Sequence, residues 1–165
     1  MPESIRSRLH RWYFNLFPAY RGTGARITYL SDDFREIRVR LPLNRRTRNY
    51  VGTIFGGSMY GAVDPIYMVM LIKNLGPAYQ VWDKAASIRF RKPGRGTLFA
   101  RFQLDERELE DIRAALELEP ATERVYDVDL TDGIGVVHAS IRKTIHIRRK
   151  EATPAPRTPV QETTS

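Results

Sequence analysis

Residues 5–17 carry Ile5, Leu9, Trp12, Tyr13, Leu16 and Phe17 at helical spacing, with Arg6, Arg8 and Arg11 on other faces, so the pattern predicts an amphipathic helix ending near Pro18. Such a helix can lie on a membrane surface; the plainer expectation is that it packs over the domain. From Ala25 the period shortens to two. Ala25, Ile27 and Tyr29 alternate with Arg26 and Thr28, and Ile37, Val39 and Leu41 alternate with Glu36, Arg38 and Arg40, giving two strands around a turn at Ser31, Asp32 and Asp33. Residues 59–72 are apolar on almost every face, with Asp64 the only charge, which predicts a buried helix. The run is shorter than the roughly 20 apolar residues that span a bilayer.

Beyond Gly76 and Pro77, residues 79–91 read as a long strand with Ala86, Ile88 and Phe90 on one face and Ser87, Arg89 and Arg91 on the other. Phe90 is expected to point inward. The turn Pro93, Gly94, Arg95, Gly96 leads into a strand over 97–104. Asp105 and Glu108 form a capping pair for a helix with Leu109, Ile112 and Leu116 along one stripe, closed by Pro120. Two more strands follow at about 123–130 and 135–148, joined at Thr131, Asp132 and Gly133; in the second, Val137, Ala139, Ile141, Ile145 and Ile147 share a face. The pattern predicts an α+β domain over 1–150, a mostly antiparallel sheet of about six strands curled around one long apolar helix, with an N-terminal helix and a second surface helix. Residues 151–165, rich in Pro and Thr, read as a disordered tail.

Composition narrows the chemistry. The chain has 165 residues, no cysteine and 27 Lys and Arg against 19 Asp and Glu, a formal net charge of +8. Thiolate zinc, disulfides and a cysteine nucleophile are therefore excluded, and an anionic partner is favoured. No basic region followed by an apolar run opens the chain, so a cytoplasmic address is expected. His10, His138 and His146 are scattered without metal-ligand spacing, and no serine-hydrolase elbow or phosphate-binding glycine loop occurs.

Three features can carry chemistry. An ionised Asp64 inside an apolar helix costs several kcal/mol unless compensated, which points to a site; the alternative is that Asp64 caps a helix whose first residue is Pro65. Phe55, Gly56, Gly57 and Ser58 precede the apolar helix, where free N–H groups of a first turn can polarise a carbonyl; the alternative is a plain turn capped by Ser58. Arg89, Arg91, Lys92 and Arg95 crowd one hairpin and suit the phosphates of coenzyme A or of nucleic acid, or else form a solvated strand end. Few aromatic residues accompany them, so no nucleic-acid partner is expected.

The order of elements, with Asn49, then Phe55-Gly56-Gly57 six residues on, then Asp64 nine residues beyond Phe55, resembles the hotdog superfamily and in particular thioesterases of the phenylacetate-degradation type, whose motif has His where this chain has Phe55. The wider string over 48–57, with Asp64-Pro65, residues 81–84 and Lys92-Pro93, is similar to a hotdog branch catalogued as a domain of unknown function, over roughly residues 13–150. The resemblance implies hydrolysis of an acyl-CoA, with coenzyme A entering as part of the substrate and no separate cofactor or metal. It implies that the Gly56 N–H binds the thioester carbonyl and that Asp64 acts as base or nucleophile. It also implies that the two come from opposite subunits of a homodimer, alone or paired into a homotetramer. Asp83 matches a position that places water in related enzymes; a second carboxylate near Asp64 would also suit proton transfer, whereas pairing with Lys84 or a surface arginine would leave it inert. With Phe55 in place of His, a non-catalytic acyl-CoA or lipid-binding dimer is the second expectation. A dehydratase, which resembles a His and carboxylate pair, ranks below it, and nucleic-acid binding lower still.

Overall fold

The computed structural model describes residues 3–150; the tail expected over 151–165 lies outside the described residues. Six strands form one antiparallel sheet: β1 (Arg26–Leu30), β2 (Glu36–Leu41), β3 (Tyr79–Phe90), β4 (Leu98–Gln103), β5 (Ala121–Thr131) and β6 (Val137–Arg149). Their spatial order is β1-β2-β4-β5-β6-β3, which leaves β1 and β3 as the edges. Alternation explains the pairing, since β2 buries Ile37, Val39 and Leu41 and β4 buries Leu98, Ala100 and Phe102 from opposed register positions. The β4–β5 seam is short, with Phe99 opposite Thr131 its one registered pair.

The apolar rod lies against this sheet, as the pattern predicts, but it is jointed. Helix α3 (Gly56–Val63) and helix α4 (Ile66–Leu75) meet at Asp64-Pro65. Pro65 has no N–H to donate to residue 61 and its ring crowds that carbonyl, so the ladder stops there. Asp64 itself still donates to the Tyr60 carbonyl at 3.0 Å, and Val69 resumes the pattern on Pro65. The rod ends at Gly76, whose φ of +90° suits glycine. Ala62, Val63, Ile66, Met70 and Leu71 join the buried residues of the sheet in one core. Helix α5 (Glu106–Leu118) starts where the capping pair predicts, its Glu108 N–H donating to Asp105 at 2.7 Å, and buries Leu109, Ile112 and Leu116.

Helix α1 (Ile5–Leu16), followed by the short α2 (Pro18–Gly22), departs from expectation. It packs on β1 by Ser7, Phe14 and Asn15, and turns Ile5, Leu9, Trp12, Tyr13 and Leu16 to the outside. The expected packing of its apolar face over the domain is thus reversed. The reason is polar: Ser4 and Ser7 donate to Asp32, and the Asn15 amide exchanges hydrogen bonds with the Ile27 backbone at 2.9 and 2.8 Å.

Candidate active site

The loop before α3 is built around Asn49. Its side-chain oxygen accepts from the N–H groups of Val51 and Thr53, and its amide donates to the Thr53 hydroxyl at 2.9 Å. Asn49 therefore shapes the turn, which Gly52 completes at φ +83°. The strip that follows is pinned on both sides, with the Ile54 N–H on the Gly94 carbonyl at 2.9 Å and the Phe55 N–H on the Thr47 carbonyl at 2.7 Å. The first helical bond of α3 runs from the Met59 N–H to the Phe55 carbonyl. The N–H groups of Gly56 and Gly57 precede it and point beyond the helix end.

Two aromatic rings explain both glycines. A Cβ on Gly56 would stand 2.8 Å from the Phe90 ring, and one on Gly57 would stand 2.3 Å from the Phe55 ring. Phe90 was expected inward; instead it is exposed, because it lies across the mouth of α3 at the end of an edge strand. Asn49, Thr53, Gly56, Met59, Phe90, Arg91, Lys92 and Gly94 line a cleft of about 350 Å³. Arg89 lies outside it, in a neighbouring groove with Asp127, Asp129 and Arg142 that Arg91 also borders, and Arg95 is exposed and does not line it. The four cations thus divide, two facing the amide end of α3.

At the other end of α3, the Asp64 carboxylate makes no capping bond to a helix N–H, which removes the capping alternative. It meets Lys143 of β6 instead, with Nζ 2.6 Å from Oδ1. The same ammonium lies 3.1 Å from Asp83 Oδ1, close enough for charge attraction though poorly angled for a hydrogen bond, and 3.4 Å from the Tyr60 hydroxyl. The ammonium thus donates to two oxygens and lies beside a third. The Lys143 side chain is 1% exposed, against 41% for Asp64 and 24% for Asp83. Lys84, offered as an alternative partner of Asp83, pairs with Glu123.

The charges of this cluster are interdependent. Burial pushes the Asp83 carboxyl above its ordinary range, and Lys143 only partly opposes it. Burial alone would lower the Lys143 ammonium, but its bonds to Asp64 and Asp83 outweigh this and hold it above its ordinary value. Tyr60 is raised by burial and then by its neighbour Asp64. Asp64 and Asp83 therefore share one environment, joined through Lys143, which is not among the site residues expected from sequence. Lys143 occupies the inward row between Ile141 and Ile145, so a cation in an otherwise apolar row was the available signal.

Among the described residues no cluster of His, Asp or Glu has the makings of a metal site. His138 is occupied with Asp132 and the Pro93 carbonyl. The site therefore consists of an amide-lined cleft and a carboxylate cluster at opposite ends of α3.

A curved antiparallel sheet around an apolar rod, with a glycine pair opening the rod and an acid within it, defines the hotdog class. The chain belongs to the family described as Domain of unknown function (DUF4442), whose model matches residues 6–147. No protein of curated function matches it in sequence. Among solved structures it is similar to a Pseudomonas aeruginosa protein described as of unknown function, "probable thioesterase", with 20% identity over 91% of this chain and 99% of that one and a TM-score of 0.76. A Haemophilus influenzae thioesterase shares 14% identity over 89% and 93% of the two chains, with a TM-score of 0.65. A hypothetical thioesterase from Streptococcus pneumoniae, crystallised with coenzyme A, shares 18% over 87% and 99%, with a TM-score of 0.58. At these identities the likeness establishes the fold.

Proposed function

We propose that the chain hydrolyses the thioester of an acyl-CoA as a homodimer. The observation that carries this reading is Asp64, fixed through Oδ1 by a buried lysine yet 41% exposed, at the far end of the helix whose first N–H groups open into a cationic cleft. Eight residues of helix separate Gly56 from Asp64, about 12 Å along the axis at 1.5 Å per residue. That is too far for both to reach one carbonyl within a single chain. A second copy resolves the distance, and β3 offers the place for it: an edge strand of 12 residues whose centre, Lys84 to Ser87, is exposed and mostly small.

In this arrangement the Gly56 N–H of one protomer receives the thioester oxygen, and Asp64 of the other accepts a proton from water. The water oxygen attacks the carbonyl carbon, the carbon–sulfur bond breaks, and the proton passes to the departing coenzyme A sulfur. Asp83 lies on the dimer-edge strand and holds the opposite side of Lys143. Arg91 and Lys92 face the coenzyme A phosphates, with Arg89 and Arg95 at greater remove. Losing one such oxyanion donor costs about 100-fold or more in rate. The test is coenzyme A release from a panel of acyl-CoA chain lengths: the wild type turns over at least one, and Asp64→Asn does not. Equal rates for the two proteins on every substrate refute the proposal.

Phe55, exposed and folded over Gly57, favours a second reading, in which the dimer binds acyl-CoA without turning it over. Tight binding with no coenzyme A release selects it.

A further inference from the structure

We propose that α1 is an interfacial helix that seats this protein on an anionic lipid surface. At 100° per residue, Ile5, Leu9, Trp12, Tyr13 and Leu16 fall within an arc of about 100°. An apolar arc of that width normally faces a core. Here Ile5 is 77% exposed, Leu9 63%, Trp12 64% and Tyr13 65%, and Phe17 extends the arc past the helix end.

The helix is nevertheless firmly attached. Its opposite face holds Ser7 and Phe14, and the polar contacts of Ser4, Ser7 and Asn15 fix it to β1 and to the turn after β1. Glu3 adds a hydrogen bond from the Leu30 N–H and a two-pronged pair with Arg11. Polar groups thus help hold the helix to the domain, while Ile5, Leu9, Trp12 and Tyr13 remain largely exposed.

Charge decides what fits the exposed arc. Arg8 borders it on one side and Arg6 on the other, while Arg21 and Arg46 surround a shallow hollow with Leu16 and Pro18 at its far end. None of these four arginines has an ion pair among the described residues, and no acidic residue lies in α1. A second copy laid on this stripe would bring like charges together without an answering carboxylate. An anionic headgroup layer answers them, and Trp12 and Tyr13 are the side chains that settle at the boundary of headgroups and acyl chains. β1, which carries α1, is the sheet edge opposite β3, so the surface is separate from the edge proposed for dimerisation.

The experiment is flotation of the full chain with vesicles of equimolar phosphatidylglycerol and phosphatidylcholine, and with vesicles of phosphatidylcholine alone. Wild type floats with the anionic vesicles, and salt weakens the association. Leu9→Ser with Trp12→Ser lowers the partition by at least about tenfold while leaving thermal melting unchanged. Arg6→Gln with Arg8→Gln removes the preference for anionic vesicles. In a Trp82→Phe background, Trp12 emission shifts to the blue on those vesicles only. No flotation of the wild type, or equal flotation of the Leu9/Trp12 variant, overturns the proposal. A lipid-free wild type that assembles further than the Leu9/Trp12 variant also overturns it, because a second copy then occupies the face.

Discussion

Lys143 Nζ lies 2.6 Å from Asp64 Oδ1 and 3.1 Å from Asp83 Oδ1, so one buried ammonium bridges a carboxylate on the central rod and another on the edge strand. Removing it affects the two acids differently. Asp64 is open enough to be rehydrated, whereas Asp83 keeps its burial and loses its counter-charge. Lys143→Met fills the space but strands Asp83 without its counter-charge and should destabilise by about 3 kcal/mol; Lys143→Ala adds a cavity to that loss and should cost more. Urea unfolding checks the difference. Both variants should release coenzyme A more slowly, because Asp64 loses the partner that fixes its rotamer.

The same lysine sets an alkaline limit to stability. Its folded pKa lies above the ordinary 10.5, so the stability it contributes is complete below 10.5 and is lost as pH rises through the folded value. At the acid end Asp33 behaves oppositely. Burial would raise it, but hydrogen bonds from Ser31 and Arg35 overcome this and lower it to about 2. Its contribution is present above 3.8 and disappears as pH falls through about 2. Melting curves across pH should therefore lose part of their alkaline decline in Lys143→Met and part of their acid decline in Asp33→Asn.

Gly56 and Phe90 provide a test of the cleft that leaves the carboxylates untouched. Gly56→Ala places a methyl 2.8 Å from the Phe90 ring, which must swing into the cleft or away from it. The expected result is a raised KM with little loss of stability, because the ring end is exposed and free to move. Phe90→Ala in the Gly56→Ala background should restore KM toward that of Phe90→Ala alone. Steady-state kinetics on the four proteins form the required double-mutant cycle.

Charge reversal separates the basic residues. Arg91→Glu and Lys92→Glu should each raise KM for acyl-CoA several-fold with kcat nearly unchanged, because both line the cleft. Arg89→Glu should have a smaller effect, since Arg89, unlike Arg91, does not reach the cleft and lines only the neighbouring groove that holds Asp127 and Asp129. Equal sensitivity at all three positions would show that general surface charge, not the cleft, recruits the substrate.

The inner strands were legible because they alternate, as in β2 with Ile37, Val39 and Leu41 inward from Glu36, Arg38 and Arg40, whereas the edge strand β3 does not alternate and its Phe90 lies outside. The cleft was legible through glycines that only close approach explains. Lys143 is harder to see from sequence, because it stands in the inward row of β6 as a cation interrupting an otherwise apolar alternation. The joint at Pro65 was visible in the sequence only as the alternative that a new helix starts there, because the run is apolar on both sides of it. α1 misled for a different reason: periodicity reports an apolar face without saying what covers it. Ser7 and Asn15, the residues that settled its orientation, appear unremarkable in a hydrophobic pattern.

The distance between Gly56 and Asp64 leads to the sharpest test of the proposed assembly. If each site takes its amide from one protomer and its acid from the other, two inactive variants must complement. Asp64→Asn removes the acid; Gly56→Val, whose side chain must displace the Phe90 ring, blocks the amide. In a mixed dimer one site receives both defects and the other receives neither. Random exchange at equal concentrations makes half the dimers mixed, and each regains one site of two. Activity should therefore return to about one quarter of wild type, from two preparations that are each inert. Were both groups to serve the same site from one chain, every site in every mixture would carry a defect, and co-refolding would recover nothing. Gel filtration of each variant, with unchanged dimer elution, ensures that a negative result bears on the placement of the site and not on assembly.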